Sequence, residues 1–118
     1  PLFFGKKNQT TVFALPGNPA STLVCYYQYV LPAIRMLMGR SDAFLQAIRL
    51  PIASAYSFQG ERDEFVKAWA SPKQVQPLEG QESFVLRSFA TANALIHLPA
   101  EQSVVAAGDL VTTYWLPQ

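Results

Sequence analysis

Residues 12–21 have the sequence VFALPGNPAS, and this stretch decides how the first part of the chain folds. Its opening residues are apolar without alternating with polar ones, which predicts a buried strand that ends at Leu15. Gly17 permits the positive φ of a sharp turn, and the side-chain oxygen of Asn18 is suited to cap a following helix. Pro19 fits the first helical position, where its missing N–H costs nothing. The stretch therefore predicts a strand, a tight turn and a helix.

The same corner has the chemistry of an oxyanion-binding site. The first backbone N–H groups of the helix, at Ala20 and Ser21, lack helical partners, and the helix dipole favours negative charge there. The hydroxyls of Ser21 and Thr22 add further donors. A turn at the carboxyl end of a strand is also where open α/β sheets bind ligands. The alternative is a capped strand-to-helix corner without a ligand, and the residues alone leave both possibilities open.

Apolar periodicity extends this unit on both sides of the corner. Leu2 to Phe4 and Thr10 to Leu15 predict two strands, joined by the polar turn Gly5–Gln9. After the corner, apolar residues recur at helical spacing as far as Gly39, which is the expected C-terminal stop. Pro32 lies inside this helix and is expected to kink it or to shift its hydrogen bonds locally.

From about Ile48 onward the pattern predicts strands only. Short apolar or β-branched runs alternate with turn clusters, a spacing typical of a small barrel or sandwich. The runs are Arg49–Ser54, Glu64–Ala70, Gln74–Pro77, Phe84–Phe89, Ala94–Leu98 and Leu110–Leu116. The sequence thus predicts an α/β remnant of strand, strand and helix in residues 1–46, followed by an all-β small barrel of β-clip-like type in residues 47–118.

Composition excludes several classes of protein. The chain has 118 residues, of which 50% are hydrophobic and 14% charged, and its formal net charge is +1. These values exclude intrinsic disorder and give no basic footprint for nucleic acid or anionic lipid. A single cysteine, Cys25, excludes a disulfide framework. The uncharged run between Pro19 and Arg35 is too short to span a bilayer. We therefore expect neither nucleic acid nor a membrane as a partner.

A second polar cluster lies in the predicted barrel. The run Gly60–Phe65 places Arg62, whose guanidinium suits phosphate or another oxyanion, among three acidic residues. The alternative is a solvated charged turn before a strand. Ser88, in the predicted strand 84–89, is a further polar group for one barrel edge. His97 is expected on a strand face, and a single histidine does not supply a Ser–His–Asp set.

Several motifs occur in an order that is typical of one enzyme family. Residues 13–21 (FALPGNPAS) match a "GLPGNPvS" corner, and residues 30–39 (VLPAIRMLMG) match a helix ending "v-P-alrkl-G". Residues 60–65 (GERDEF) resemble "GRxeF", residues 88–96 resemble "S…AnglI", and residues 107–109 (AGD) resemble a closing "aGe" turn. The chain therefore resembles the carboxyl-terminal portion of the molybdopterin molybdotransferases, the MoeA/gephyrin-E family.

The resemblance implies a homodimeric, cytoplasmic enzyme of molybdenum-cofactor synthesis, with other proteins of that pathway as possible partners. Members of the family use a divalent cation, typically Mg²⁺, to insert molybdate into adenylylated molybdopterin with release of AMP. Their strand–PGNP–helix corner belongs to an α/β molybdopterin-binding subdomain, here residues 1–46. Their last subdomain is a small β-barrel that closes over the active-site cleft, here residues 47–118.

By position, the resemblance assigns substrate binding to Pro16, Gly17, Asn18, Pro19, Ser21, Arg62 and Ser88. The first five would line the molybdopterin and molybdate pocket. Arg62 and Ser88 would face it from the barrel, with Arg62 pairing with an anionic group. The family's Lys-Pro-Gly-Lys-Pro segment and its cation-binding acidic residues would largely precede Pro1. We therefore expect the Mg²⁺ ligands upstream of this chain, no assignable catalytic residue within it, and no activity of the chain by itself.

A second hypothesis gives the chain a non-catalytic role. Tyr26, Tyr27 and Tyr29 provide an aromatic helix face, and the barrel provides another surface. On this hypothesis the chain is a dimerisation or protein-interaction module of a gephyrin-like scaffold. Packing in the protein's own core is the simpler explanation of the aromatic face. The sequence does not decide between molybdenum and tungsten as the metal that is transferred.

Overall fold

The computed structural model describes residues 2–15, 19–79 and 91–117, and of residues 19–21 it describes the backbone only. The chain divides into two compact units, Pro1–Leu45 and Gln46–Gln118. The first contains a β-hairpin and a helical segment, and the second is built on an antiparallel sheet. The predicted fold class, a strand–strand–helix remnant followed by an all-β barrel-like unit, is confirmed.

The first unit begins with a tight hairpin. Strands β1 (Phe3–Lys7) and β2 (Thr10–Ala14) pair antiparallel in a register that leaves a two-residue turn. Asn8 in that turn has a left-handed backbone (φ 58°), which asparagine tolerates better than most residues. The predicted turn, Gly5–Gln9, is wrong in its first three residues, which continue β1, because a two-residue turn of this kind fits the twist of paired strands.

The burial of β2 differs from the prediction. Thr11 and Phe13 are half-buried, whereas Thr10, Val12 and Ala14 are exposed. Side chains of a strand point alternately to the two faces of a sheet, even where the sequence does not alternate in polarity. The prediction that β2 is buried throughout is therefore wrong.

The helical segment after the corner has a π-helical interruption. Helix α1 (Pro19–Cys25) is followed by a π-helical segment, Tyr26–Val30, and then by helix α2 (Leu31–Leu37). The first N–H of α2 donates to the carbonyl of Tyr26, one residue further back than in an α-helix. Pro32, in the first turn of α2, has no N–H to donate. The predicted shift of hydrogen bonds near Pro32 is confirmed.

The interruption changes which side chains of α2 are buried. Leu23, Ile34 and Leu37 recur at helical spacing in the sequence, and Ile34 is 41% and Leu37 78% exposed. Pro32 is the buried residue of α2. A π-helical turn rotates the residues that follow it relative to those before it, so apolar residues at α-helical spacing on its two sides do not share one face.

Helix α2 ends in a Schellman motif. Gly39 has φ 79°, and its N–H donates to the Met36 carbonyl at 2.9 Å. The N–H of Arg40 donates to the Arg35 carbonyl at 3.0 Å. These two bonds satisfy carbonyls that the helix end leaves without partners, so the predicted stop at Gly39 is confirmed. Within the part of the chain that the structure describes, no helix has the length and apolar character needed to cross a bilayer.

The second unit is built on a five-stranded antiparallel sheet with the order β3-β9-β7-β5-β6. Its strands are β3 (Ala47–Pro51), β5 (Glu64–Ala70), β6 (Val75–Pro77), β7 (Ala94–Leu98) and β9 (Leu110–Trp115). Two short strands that the sequence did not predict, β4 (Tyr56–Ser57) and β8 (Val104–Val105), form a separate pair. The predicted strand 84–89 lies outside the described residues.

The two edges of this sheet meet. Ile52, directly after β3, forms a parallel bridge to Val75 of β6. The Ala53 N–H donates to the Val75 carbonyl at 2.7 Å. Because β3 and β6 are the two edge strands, this contact curls the sheet back on itself into a barrel-like form.

The curled sheet encloses the apolar core. Its buried members are Leu50, Ile52, Val66, Ala68, Ala70, Val75, Ala94, Ile96, Leu98, Val105 and Val111. Cross-strand register aligns them, since Val66 lies opposite Ile96 and Ile96 opposite Thr113. Thr113 is also fully buried, and its hydroxyl donates to the Val111 carbonyl at 3.3 Å. Burial of this row is the main source of stability of the unit.

We expect Ile96→Ala to destabilise the second unit by about 2–5 kcal/mol, because it leaves a cavity in the core. Ile96 is 0% exposed, whereas Ile48 of the same sheet is 40% exposed. The matched variant Ile48→Ala removes the same atoms and should cost clearly less. Urea unfolding followed by tryptophan fluorescence measures both losses, and equal losses would contradict this core.

Candidate functional site

The segment that carries Arg62 is a turn that leads into β5. Residues 58–63, here called the Arg62 turn, form neither helix nor strand. The turn bends at Gly60, which has φ 80°. A methyl group on Gly60 would lie 2.7 Å from the Ser103 Cβ and 3.3 Å from the Ala100 carbonyl oxygen. The Phe58 N–H donates to the Ser103 carbonyl at 2.9 Å. The turn is thus held closely against residues 100–103.

Asp63 connects the end of the Arg62 turn to two other elements. Its Oδ2 lies 2.9 Å from Nε2 of His97 on β7, and its Oδ1 accepts the Ala100 N–H at 3.0 Å. Ala100 begins a short 3₁₀ helix, Ala100–Gln102, whose N-cap residue Pro99 contributes no side-chain bond. The bond with His97, and after it the bond from Ala100, lower the pKa of Asp63 because both favour the ionised carboxylate.

The His97 ring is held in place by an aromatic neighbour. It stacks on the Phe65 ring, with centroids 4.9 Å apart and planes 14° apart. The two residues lie directly opposite each other in the pairing of β5 with β7. His97 therefore lies on a strand face, as predicted, and stacking fixes the plane in which its Nε2 meets Asp63.

Glu64, the first residue of β5, also has a partner of its own. The Tyr56 hydroxyl donates to Oε1 of Glu64 at 2.7 Å. Partial burial, and then the bond to Glu64, raise the pKa of Tyr56 well above its usual range, so the phenol remains a donor. Two of the three acidic residues around Arg62 are thus bonded to groups other than Arg62.

Arg62 lies beside an open cleft. The cleft has a volume of about 420 Å³ and is lined by Phe58, Gln59, Glu61, Arg62, Asp63 and Glu64. Among the residues that the structure describes, the Arg62 guanidinium has neither an ion pair nor a hydrogen bond. A permanently charged group with unused parallel donors is suited to a phosphate-like oxyanion. The Arg62 turn is therefore the candidate binding site in the second unit.

Most of the predicted strand-to-helix corner lies outside the described residues, namely Pro16, Gly17 and Asn18. Ser88 of the predicted barrel also lies outside them. Helix α1 begins at Pro19, as predicted, and Ser21 lies in its first turn. Of the predicted binding residues, only Arg62 therefore has a described side-chain environment.

The sequence did not indicate the roles of Asp63, Glu64 and His97. Asp63 and His97 are 34 positions apart, and all three acidic residues around Arg62 carry the same carboxylate group. The one available signal is alternation, which places Phe65 and His97 on the opposite face of their strands from Val66 and Ile96. Alternation within each strand does not predict that these two residues are neighbours, because it does not specify the register of β5 against β7.

The described residues support neither a metal-binding site nor a reactive cysteine thiol. Within residues 2–15, 19–79 and 91–117, no three His, Cys, Asp or Glu side chains converge where a metal ion could bind. The Mg²⁺ implied by the resemblance does not fit this part of the chain. Cys25 is half-buried, and burial raises the pKa of its thiol, which keeps it protonated at neutral pH.

The first unit contains an apolar cavity of about 560 Å³. Aromatic and aliphatic side chains dominate its lining, among them Phe4, Phe13, Met36, Leu37 and Phe44. Phe4 and Phe44 remain 61% and 69% exposed. Exposed apolar side chains grouped in this way are typical of a face that packs against another protein surface.

Comparison with known proteins identifies the family through the second unit. The sequence profile of the MoeA C-terminal region (domain IV) matches residues 49–116, which include the Arg62 turn. The chain belongs to the MoeA family. MoeA domain IV thus covers all strands of the five-stranded sheet, although the match begins within β3.

Relatives of this MoeA-family chain are considerably longer. The molybdenum cofactor synthesis protein cinnamon of Drosophila melanogaster is 33% identical over 119 residues, which cover 93% of this chain and 20% of the relative. The molybdopterin molybdenumtransferase of Haemophilus influenzae is 30% identical, with 95% and 29% covered. A molybdenum cofactor biosynthesis protein from Pyrococcus furiosus has the same fold, with a TM-score of 0.77 at 20% identity over 88% of this chain and 38% of that chain.

Gly60→Ala should destabilise the second unit more than Gly108→Ala. Both glycines have a positive φ, 80° and 94°, so each alanine costs about 1–2 kcal/mol in backbone strain. A methyl group on Gly60 also meets Ser103 at 2.7 Å, whereas nothing lies within 4 Å of one on Gly108. Thermal unfolding measures the difference. Equal destabilisation by the two variants would show that the close approach to Ser103 does not exist.

Asp63→Asn should reduce the dependence of stability on acid pH. The folded-state pKa of Asp63 lies below its unfolded value, which is about 3.9. The bonds of its carboxylate therefore stabilise fully above about pH 4, and this stabilisation is lost as pH falls through the folded-state pKa. Urea unfolding of both proteins at a series of pH values measures the effect.

Asp42 also has a carboxyl group with a lowered pKa, but it does not disturb that comparison. The Arg40 guanidinium lowers the pKa of Asp42 to about 2, and Asp42 is present in both proteins, so its contribution cancels in the difference. Parallel stability–pH curves for the wild type and Asp63→Asn would contradict the role given to the Asp63 carboxylate.

Proposed function

We propose that the chain is the carboxyl-terminal part of a molybdopterin molybdenumtransferase, which inserts molybdate into adenylylated molybdopterin with release of AMP. Membership of the MoeA family and the name of the Haemophilus influenzae relative support this proposal. In it, residues 1–46 end the α/β molybdopterin-binding subdomain, and residues 47–118 form the C-terminal β-barrel domain. The chain alone does not catalyse the transfer, since it spans less than a third of that relative.

The observation that carries the proposal is the Arg62 guanidinium beside its cleft, which has no partner in the part of the chain that the structure describes. Molybdate and the phosphate groups of the nucleotide-linked substrate are oxyanions, and a guanidinium offers them two parallel N–H donors. Asp63 and Glu64 accept hydrogen bonds from His97, Ala100 and Tyr56, and among the described residues neither forms an ion pair with Arg62. In this function Arg62 binds one oxyanion and fixes its orientation, which is positioning rather than bond-making.

The strand-to-helix corner is the second part of the proposed site. Gly17, Asn18 and Ser21 would offer backbone N–H groups and the Ser21 hydroxyl to an oxyanion, and Pro16 and Pro19, which have no N–H, would shape the corner. Ser88 is proposed as a further substrate-binding hydroxyl, in the second unit. The start of α1 at Pro19 supports this part of the proposal, because the first helical N–H groups then follow the corner directly.

The proposed enzyme also uses Mg²⁺, is a homodimer, and works in the cytoplasm with other proteins of molybdenum-cofactor synthesis. When bound, the cation would neutralise charge on the transferred oxyanion. Its ligands are assigned to the part of the family pattern upstream of this chain. The contribution of the residues described here is to bind and orient the anionic substrate.

A second function is favoured by one observation, the apolar cavity of the first unit. Phe4 and Phe44 line it and stay largely exposed, and Tyr29 beside them is 47% exposed. Such a face suits the alternative role of a dimerisation or protein-interaction module in a gephyrin-like scaffold. One of the relatives, 32% identical over 114 residues, is the gephyrin of Dictyostelium discoideum.

Arg62→Ala should weaken molybdate binding by about 10- to 100-fold, the range expected for lost hydrogen bonds to a charged group. The control is Arg49→Ala, which removes the same charge from the same unit. The Arg49 guanidinium already donates to Thr112 Oγ1 at 2.9 Å and to the Leu110 carbonyl at 3.1 Å. Isothermal titration with sodium molybdate should therefore give Arg49→Ala nearly wild-type affinity.

The Arg62→Ala variant also distinguishes the transferase from the interaction module. Loss of molybdate affinity in Arg62→Ala with unchanged self-association, measured by analytical ultracentrifugation, supports the enzyme. Unchanged affinity in Arg62→Ala would remove the main support for the transferase site and leave the scaffold as the better proposal.

A further inference from the structure

The cleft beside Arg62 carries more negative than positive charge. Its described lining contains three carboxylates, those of Glu61, Asp63 and Glu64, and one guanidinium, that of Arg62, so the formal net charge of these residues is −2. An anion that reaches Arg62 is therefore also repelled by the carboxylates. The repulsion needs no contact, because Coulomb forces between exposed charges extend over about 10 Å at 0.1 M salt.

The three carboxylates differ in how they are bonded. Asp63 and Glu64 both accept hydrogen bonds from other parts of the second unit. Glu61 is exposed, and among the residues that the structure describes it has neither a hydrogen bond nor an ion pair. The Glu61 charge is therefore the one that no described donor offsets, and its removal disturbs no described bond.

We propose that Glu61 is a specificity-determining residue of the Arg62 turn, which weakens the binding of doubly charged oxyanions more than that of singly charged ones. The inference rests on the proposed function, in which Arg62 binds an oxyanion. Glu61 adjoins Arg62 and lines the same cleft of about 420 Å³, so an anion in that cleft is exposed to the charge of its carboxylate. Because the repulsion is proportional to the charge of the ligand, it costs a dianion twice as much free energy as a monoanion at the same position.

Two tetrahedral oxyanions of similar size test this dependence on charge, namely molybdate, which is doubly charged, and perrhenate, which is singly charged. Glu61→Gln removes the carboxylate charge and keeps the length of the side chain. At low ionic strength we expect isothermal titration to show about two- to threefold tighter binding of perrhenate and about four- to ninefold tighter binding of molybdate. Equal gains for the two anions, or no gain for molybdate, would overturn the proposal.

Glu79→Gln is the matched control, because it makes the same change of net charge in the second unit. Glu79 is also exposed, but it does not line the cleft. This variant should bind both anions with nearly wild-type affinity, and a gain as large as that of Glu61→Gln would refute a local effect. The gain of Glu61→Gln should also disappear in about 1 M NaCl, where the Debye length is about 3 Å. A gain that persists at this salt concentration contradicts a Coulomb origin.

Titration of Arg62→Ala beside Glu61→Gln separates this inference from the proposed function. Weaker molybdate binding by Arg62→Ala, together with a larger gain for molybdate than for perrhenate in Glu61→Gln, supports both. If Arg62→Ala weakens molybdate binding while Glu61→Gln leaves it unchanged, the inference fails and the proposed function stands. Wild-type molybdate affinity in Arg62→Ala, in contrast, refutes the proposed function whatever Glu61→Gln does.

Discussion

The register of β5 against β7 is the constraint on which both the core and the candidate site depend. Val66 opposite Ile96 places two branched side chains in the core, and Phe65 opposite His97 places two rings on the other face of the sheet. Because neighbouring residues of a strand point to opposite faces, a slip of one residue would exchange the two sets. The apolar core thus fixes the register, and the register brings His97 to Asp63.

Residue types predicted much of the fold but not its long-range pairings. The strands 64–70 and 94–98 were predicted with the bounds that the structure has, because both are rich in branched and aromatic residues between turn signals. The hairpin turn was predicted too long, and β4 and β8 were missed, because two-residue strands have no detectable period. The contact between Ile52 and Val75, which curls the sheet, joins distant residues and has no local signature.

Part of the candidate site could also be predicted from residue type, whereas its long-range contacts could not. Arg62 could be selected from its type and its turn, since a guanidinium in a Gly-containing turn suits an oxyanion. That Asp63 and Glu64 are bonded to other groups could not be predicted, since these bonds depend on donors from β7, from Ala100 and from Tyr56.

The bond from the Ala100 N–H to Asp63 has a consequence for how the second unit folds. It joins residues 37 positions apart, yet it satisfies the first N–H of a 3₁₀ helix only three residues long. A helix this short is unstable by itself, so its cap becomes available only after the chain has closed the loop between β5 and β7. We therefore expect the 3₁₀ helix to form together with the sheet and not as an independent local nucleus.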